Sequence, residues 1–150
     1  MSLKINDGSV SVNFVLADMA IIADTPPMKN IPEFETEINI DYNFINRFIR
    51  AKGALSEEDT FTVVKRSNDI NFIIGYSSIN TNRITIPVNV TTSGGSNDNI
   101  VFDANLFRDI LVANKECSSG TLKLSSDGLI KVEFNIDNYS AIYYLVARTT

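Results

Sequence analysis

The chain has 150 residues, 44% of them hydrophobic and 21% charged, which is enough apolar material for one domain with a substantial core, or one domain plus a fragment of another, and excludes a disordered chain. A net charge of −5 excludes overall attraction to DNA or to anionic membranes, so any polyanion has to be met by a locally basic face. No apolar run approaches the length of a membrane span and the N-terminus lacks the parts of a signal peptide, so the expectation is a cytoplasmic protein with no membrane partner.

Residues 3–5 and 10–16 are β-type runs around Asn6-Asp7-Gly8, a hairpin signal, with Val10, Val12 and Phe14 alternating against Ser11 and Asn13. Residues 19–22 read as a third short apolar strand. Pro26, Pro27 and Pro32 then forbid regular structure over 23–32 and enforce an extended path, the best boundary in the sequence. Phe34, Thr36, Ile38 and Ile40 alternate with Glu35, Glu37 and Asn39, so this strand shows one face to a core and the other to water.

A helix is expected over 42–52, capped by Asp41 and ended by Gly53. Its apolar stripe is Phe44, Ile45, Phe48 and Ile49, which leaves Asn43, Asn46, Arg47 and Arg50 on the opposite face. Glu57-Glu58-Asp59 lies in the following loop and reads as solvated surface, because adjacent loop carboxylates lack the spacing of a cation site. A hairpin is expected over 60–65 and 70–75, and a further strand over 83–88. Residues 91–98, TTSGGSND, read as a flexible spacer; no lysine follows the glycines, which argues against a phosphate-cradling loop.

Then comes a strand over 100–102, a helix over 104–114, strands over 121–125 and 129–134 around Ser126-Asp127-Gly128, and a last strand over 141–148. Cys117 is the single cysteine, which excludes an intrachain disulfide, and with no histidine to activate it the residue reads as a small group near a helix end.

The segments INIDYNFINRFIRAKG (38–53) and IVFDANLFRDILVANK (100–115) are two copies of one pattern. Setting Asp41 over Asp103 places Phe44 over Leu106, Ile45 over Phe107, Phe48 over Ile110, Ile49 over Leu111 and Ala51 over Ala113. Each copy continues as strand, helix, strand, strand, strand, and both aspartates read as helix caps rather than catalytic acids. NDGSVSVNFVLADMAII, from Asn6, matches SDGLIKVEFNIDNYSAIYYL, from Ser126, so the opening looks like the end of a third copy. The expectation is therefore a shortened chain or an incomplete gene, with Met-Ser-Leu as a vector scar.

The order of these elements, the duplication and the connector ADTPPMKNIP together resemble the DNA sliding clamps, and most of all those of T4-type bacteriophages, over nearly the whole chain; the ending YYLVAR is similar to the final strand of cellular clamps. The resemblance implies an α+β DNA-clamp fold, with duplicated strand-helix-strand-strand-strand units and the helices on one face of antiparallel sheet. It implies the last strands of a truncated first domain over 1–24, a connector over 25–33, and a complete clamp domain over 34–150 with units 34–90 and 99–150. The implied function is a non-catalytic processivity factor, without cofactor or metal, whose full-length form is a trimeric ring around duplex DNA that tethers polymerase and clamp-loader peptides. If phage-derived, it would act in the infected bacterial cell. The rival is a non-ring viral module that binds peptides without DNA.

By the same resemblance the helices line the hole, which makes Asn43, Arg47, Arg50 and Lys52 on one helix, and Asn105, Arg108 and Lys115 on the other, the DNA-facing residues. Cations that meet phosphates attract without reading sequence, as sliding requires. Two readings of each stripe are open at this point, since any exposed helix face carries some arginine and lysine. The resemblance also implies a partner-peptide pocket at Pro26, Pro27, Met28 and Ile31 with Tyr144 and Val146, where Ile31 and Tyr144 are equally readable as core. Subunit-interface edges fall at Asp18, Ala20 and Ile22, and at Arg83, Ile84 and Ile86; either edge is alternatively a solvated one, the second blunted by Pro87.

Overall fold

The computed structural model describes residues 2–21, 30–66, 69–77, 79, 82–96, 98–117 and 119–148. Two compact units divide at Ile31 and Pro32, inside the expected connector. In the first, β1 (Ser2–Asp7) and β2 (Val10–Val15) form an antiparallel hairpin with Leu3 opposite Phe14 and Ile5 opposite Val12. Residues 19–21 do not form part of the expected third strand. Met19–Ile21 is a single 3-10 turn, because the Asp18 carboxylate accepts from the Ala20 N–H at 3.0 Å and the Asp18 carbonyl from the Ile21 N–H at 2.9 Å. Ile22 lies outside the described residues.

The second unit holds β3 (Thr36–Asp41), α1 (Tyr42–Ala54), β4 (Thr60–Arg66), β5 (Asp69–Ile74), β6 (Ile84–Pro87), β7 (Asn89–Thr92), β8 (Ile100–Asp103), α2 (Ala104–Ala113), β9 (Ser119–Ser125), β10 (Leu129–Ile136) and β11 (Tyr139–Val146). Two antiparallel sheets run in the orders β11-β10-β9-β3-β7 and β6-β5-β4-β8. The repeats over 34–90 and 99–150 are not self-contained. β3 opens the first repeat but pairs with β9 of the second, Ile38 opposite Leu122, and β8 opens the second but pairs with β4 of the first, Phe102 opposite Phe61. Each repeat thus lends its first strand to the other's sheet.

Between the sheets and the helices lies one core. α1 contacts β3 and β6, α2 contacts β4, β8 and β11, and each helix therefore touches both sheets. The stripe Phe44, Ile45 and Phe48 is buried as the period implies, as are Phe107 and Leu111 of α2. Phe48 and Phe107 meet edge to face at 4.8 Å and 89°, and Phe44 meets Phe72 at 5.5 Å and 86°, so ring quadrupoles lock the two helices to each other and to the strands below. On β3, Thr36, Ile38 and Ile40 point inward.

Both aspartates cap their helices. Asp41 Oδ1 accepts from the Phe44 N–H at 2.7 Å and Asp103 Oδ1 from the Leu106 N–H at 2.9 Å. Gly53 does not end α1. The helix runs to Ala54 and closes through the Leu55 N–H donating to the Ala51 carbonyl at 3.0 Å, since glycine in a helix interior is costly but not forbidden. After β11, the Arg148 N–H donates to the Val101 carbonyl at 2.8 Å and its guanidinium reaches Asp103 Oδ2 at 2.6 Å, so the chain end covers the outer edge of β8.

The expected flexible spacer is also a built element. Its first residues belong to β7, which pairs with β3, and the following glycines are held from three sides. Thr36 Oγ1 donates to the Gly94 carbonyl at 2.9 Å, and the buried Lys65 ammonium donates to the carbonyls of Gly94 and Gly95. Ser126 Oγ accepts from the Ser96 N–H at 3.0 Å while Glu35 accepts from the Ser126 N–H at 2.9 Å. Gly95, at φ +81°, packs against Ser126 Oγ where no Cβ fits.

Replacing Asp41 by alanine is expected to cost about 1 kcal/mol through the lost cap. Asp103→Ala is expected to cost about 1.5–2 kcal/mol, because it also removes the partner of Arg148. Urea denaturation of the two variants checks this, and equal midpoints would mean that the chain-end pair contributes nothing.

Candidate nucleic-acid interface

On α1 the core residues recur at helical spacing, so Asn43, Arg47 and Arg50 are turned outward, and all three are exposed. They line an open groove of about 590 Å³ with Asp41, Tyr42 and Asn46. Asn46 is half-buried, its amide donating to the Tyr42 carbonyl at 3.0 Å. No residue of α1 is acidic, and the nearest acid, Asp41, is engaged as the cap. On a chain with a net charge of −5, this helix itself carries guanidinium, amide and phenol groups and no acid, with the Asp41 cap at the end of its groove.

Lys52 does not join it. Its side chain is only 5% exposed and its ammonium donates to the Ser56 carbonyl at 2.7 Å, tying the last turn of α1 to the loop that follows. One residue beyond Ala51, it lies on the boundary between stripe and solvent, where a long stem is drawn into the core edge.

The α2 face differs from the stripe expected of it. Asn105 is half-buried and its amide donates to Asp59 Oδ1 at 2.8 Å, while the Asp59 carbonyl accepts from the Ala104 N–H at 2.8 Å. Asp59 thus anchors the loop before β4 to the start of α2 and is not merely solvated surface. Arg108 lies 3.7 Å from Asp109, and the exposed Lys115 is followed by the exposed Glu116. Leu106 and Val112 are exposed on the same helix. Charges on this face alternate in sign, so they cancel over a few ångströms. Lys115, Glu116 and Cys117 line a second open groove, of about 610 Å³, with Tyr42 and Asn46 of α1. Cys117 is buried, and burial raises its thiol pKa with the Glu116 charge adding to the effect, so it stays a neutral small hydrophobe. Tyr42, 58% exposed at the first position of α1, was not singled out by sequence; its only signal was a large aromatic directly after a cap, off the apolar stripe.

Of the expected pocket residues, Pro26, Pro27 and Met28 lie outside the described residues. Ile31 is 51% exposed in the first unit, and Tyr144 is 37% exposed in the second, so neither is core. Tyr144 and Val146 alternate along β11 with Ile142, and the three form an exposed apolar row at the end of the five-stranded sheet. Of the expected edge residues, Asp18 and Ala20 sit in the 3-10 turn, where the amides of Ala20 and Ile21 are directed inward to Asp18. β6 does end its sheet, and an apolar groove of about 430 Å³ lies between it and α1, lined by Ala51, Ala54, Ile84 and Pro87 among others. Arg83 is exposed and Ile84 half-buried, but Ile86 is buried beneath α1 and belongs to the core.

No family model matches the sequence, and no curated protein does. Solved structures match its fold. A PCNA of A. fulgidus with the C-terminal region of FEN-1 bound superposes at a TM-score of 0.70 with 15% identity, over 99% of this chain and 60% of that one. This is the clamp fold. The Proliferating Cellular Nuclear Antigen of Entamoeba histolytica gives 0.69 at 13% identity, over 99% of this chain and 60% of that one. A PCNA2-PCNA3 complex of Sulfolobus tokodaii gives 0.69 at 15%, over 97% of this chain and 60% of that one. The chain thus spans about 60% of the length of each of these proteins.

Lys52→Ala is expected to destabilise the protein by about 1–3 kcal/mol, because the Ser56 carbonyl loses its donor and the packed stem is removed. Thermal denaturation reads this directly, and an unshifted midpoint would place the ammonium in solvent.

Proposed function

We propose that this chain is the DNA-encircling and partner-binding part of a sliding clamp, a non-catalytic factor that holds a replicative polymerase on duplex DNA. The observation that carries the reading is the exposed pair Arg47 and Arg50 on α1, a helix with no acidic residue, on an acidic protein that has the clamp fold. Arg47 and Arg50 are long, exposed and without ion-pair partners among the described residues, so they are available to phosphates through direct or water-bridged contacts. Such contacts displace counterions and carry no base information, which gives attachment without a fixed position. Asn43 adds an uncharged donor to the same wall. α2 contributes less than its sequence implied: Arg108 and Lys115 act beside Asp109 and Glu116, and Asn105 is held by Asp59.

The partner surface in this reading is the row Ile142, Tyr144 and Val146 on β11. An exposed aromatic flanked by branched apolar side chains on a sheet edge suits short apolar tails of polymerase and clamp-loader proteins, and the unpaired edge of β11 can add main-chain hydrogen bonds. Another sheet end, β6, with Arg83 and Ile84 and the apolar groove beside α1, is the place for a strand of a second copy. The likeness to T4-type phage clamps and a trimeric ring belong to this proposal. The rival, a peptide-binding module that never closes a ring, keeps the β11 row and loses the DNA wall.

Fluorescence anisotropy with a labelled duplex of about thirty base pairs at low salt tests the wall. Arg47→Glu with Arg50→Glu is expected to weaken binding at least tenfold and to reduce the salt slope by about two. Unchanged affinity would sink the assignment. Sedimentation tests the edge: self-association of the wild type is expected to be lost in Ile84→Asp, and a wild type that remains monomeric at high concentration would favour the rival.

A further inference from the structure

β6 ends the four-stranded sheet and β11 the five-stranded one, and among the described residues each is paired on one side only, β6 with β5 and β11 with β10. A different helix flanks each strand, α1 beside β6 and α2 beside β11. The grooves between strand and helix differ in kind. The one at β6, of about 430 Å³, is lined by Ala51, Ala54, Ile84 and Pro87 among others, and its only charged lining residues among those described are Arg47 and Arg50. The one at β11, of about 320 Å³, lies against Ala113, Ile136 and Tyr139, and its only charged lining residue among those described is Glu116. Ala113 shares a helical stripe with Ile110 and Leu106, and Leu106 is 55% exposed, although the residue it repeats, Phe44, is buried in the core. The β6 side thus offers alanines beside cations, and the β11 side a bare leucine beside an acid. Two other charges do not alter this contrast: Asp109 lies 3.7 Å from Arg108, and Lys115 does not line the β11 groove.

We infer that β6 and its groove receive β11 and the α2 stripe of a second copy, head to tail, with Leu106 seated against the alanines of α1 and Glu116 facing Arg47 and Arg50. This rests on the reading of β6 as the place for a second copy's strand, and it names the strand. Residues 18–21, which the resemblance set against β6, form a 3-10 turn in which the amides of Ala20 and Ile21 are bonded to Asp18, so they offer no ladder. β11 is eight residues of regular strand with one edge open. The row Ile142, Tyr144 and Val146 stands on the sheet face rather than at that edge and stays exposed in the joint. A contact between unlike surfaces leaves one β6 and one β11 free in every pair, so association continues past the dimer.

Sedimentation of the full chain over a range of concentrations tests the joint, and species larger than a dimer are expected. Leu106→Asp is expected to weaken self-association about tenfold or more. Glu116→Arg, or Arg47→Glu with Arg50→Glu, is expected to weaken it about three- to tenfold. Mixing those two charge variants should restore the larger species, because unlike copies again bring opposite charges together at each joint. Association that stops at a dimer would overturn the inference and leave the reading of β6, since two β6 edges would then pair with each other. The same holds if Ile84→Asp abolishes association while Leu106→Asp and Glu116→Arg leave it unchanged, for β6 then takes another strand. A monomeric wild type, or association untouched by Ile84→Asp, brings down the reading and the inference together. Circular dichroism checks the fold of Leu106→Asp, and if it unfolds, the charge variants at exposed positions decide.

Discussion

A strand that opens one repeat and finds its neighbour in the other cannot be satisfied alone. β3 pairs with β9 of the other repeat on one side and with β7 on the other, and β8 has its partner in β4, so neither full sheet forms from one repeat's residues. Pairing across that distance in sequence carries a large loop-closure cost, and the rings between the sheets offset it by burying Phe61, Phe102 and Phe107 against one another. The helices then have no freedom of placement. Phe48 and Phe107 touch edge to face at 4.8 Å, which sets α1 and α2 side by side over one core.

That placement explains how an acidic protein can present a cationic surface. Several acids of this chain are engaged structurally: Asp41 and Asp103 cap helices, Asp59 anchors the start of α2, Glu35 holds a turn, and Glu37 and Glu133 pair with Lys123 and Lys131 on a sheet face. What remains on α1 is amide, phenol and guanidinium. Fields from exposed charges fade over about 8–10 Å in physiological salt, so a local stripe governs what binds there whatever the total charge.

Features with a local period were legible in the sequence. The two capped helices, the stripe Phe44, Ile45 and Phe48, and the alternation along β3 each follow from neighbours a few residues apart, and the collinear order of the duplicated elements carried the resemblance to the clamp fold. What was not legible depends on groups distant in sequence. Lys52 and Arg50 are alike as residues, yet one stem is drawn under the end of α1 and the other is not. Asn105 was on the expected face, but Asp59 claims its amide. Residues 91–98 have the composition of a spacer, and it takes groups from other strands, Lys65 and Thr36 at the Gly94 carbonyl and Ser126 at the Ser96 amide, to hold its glycines in place. At 19–22 an apolar run suggested strand, where one aspartate at the preceding position sufficed to curl the chain.

Arg148 ties its amide to β8 and its guanidinium to the carboxylate that caps α2. The first turn of that helix is consequently linked to a residue 45 positions further along the chain. A substitution at Arg148 would therefore disturb a helix whose own sequence it never touches.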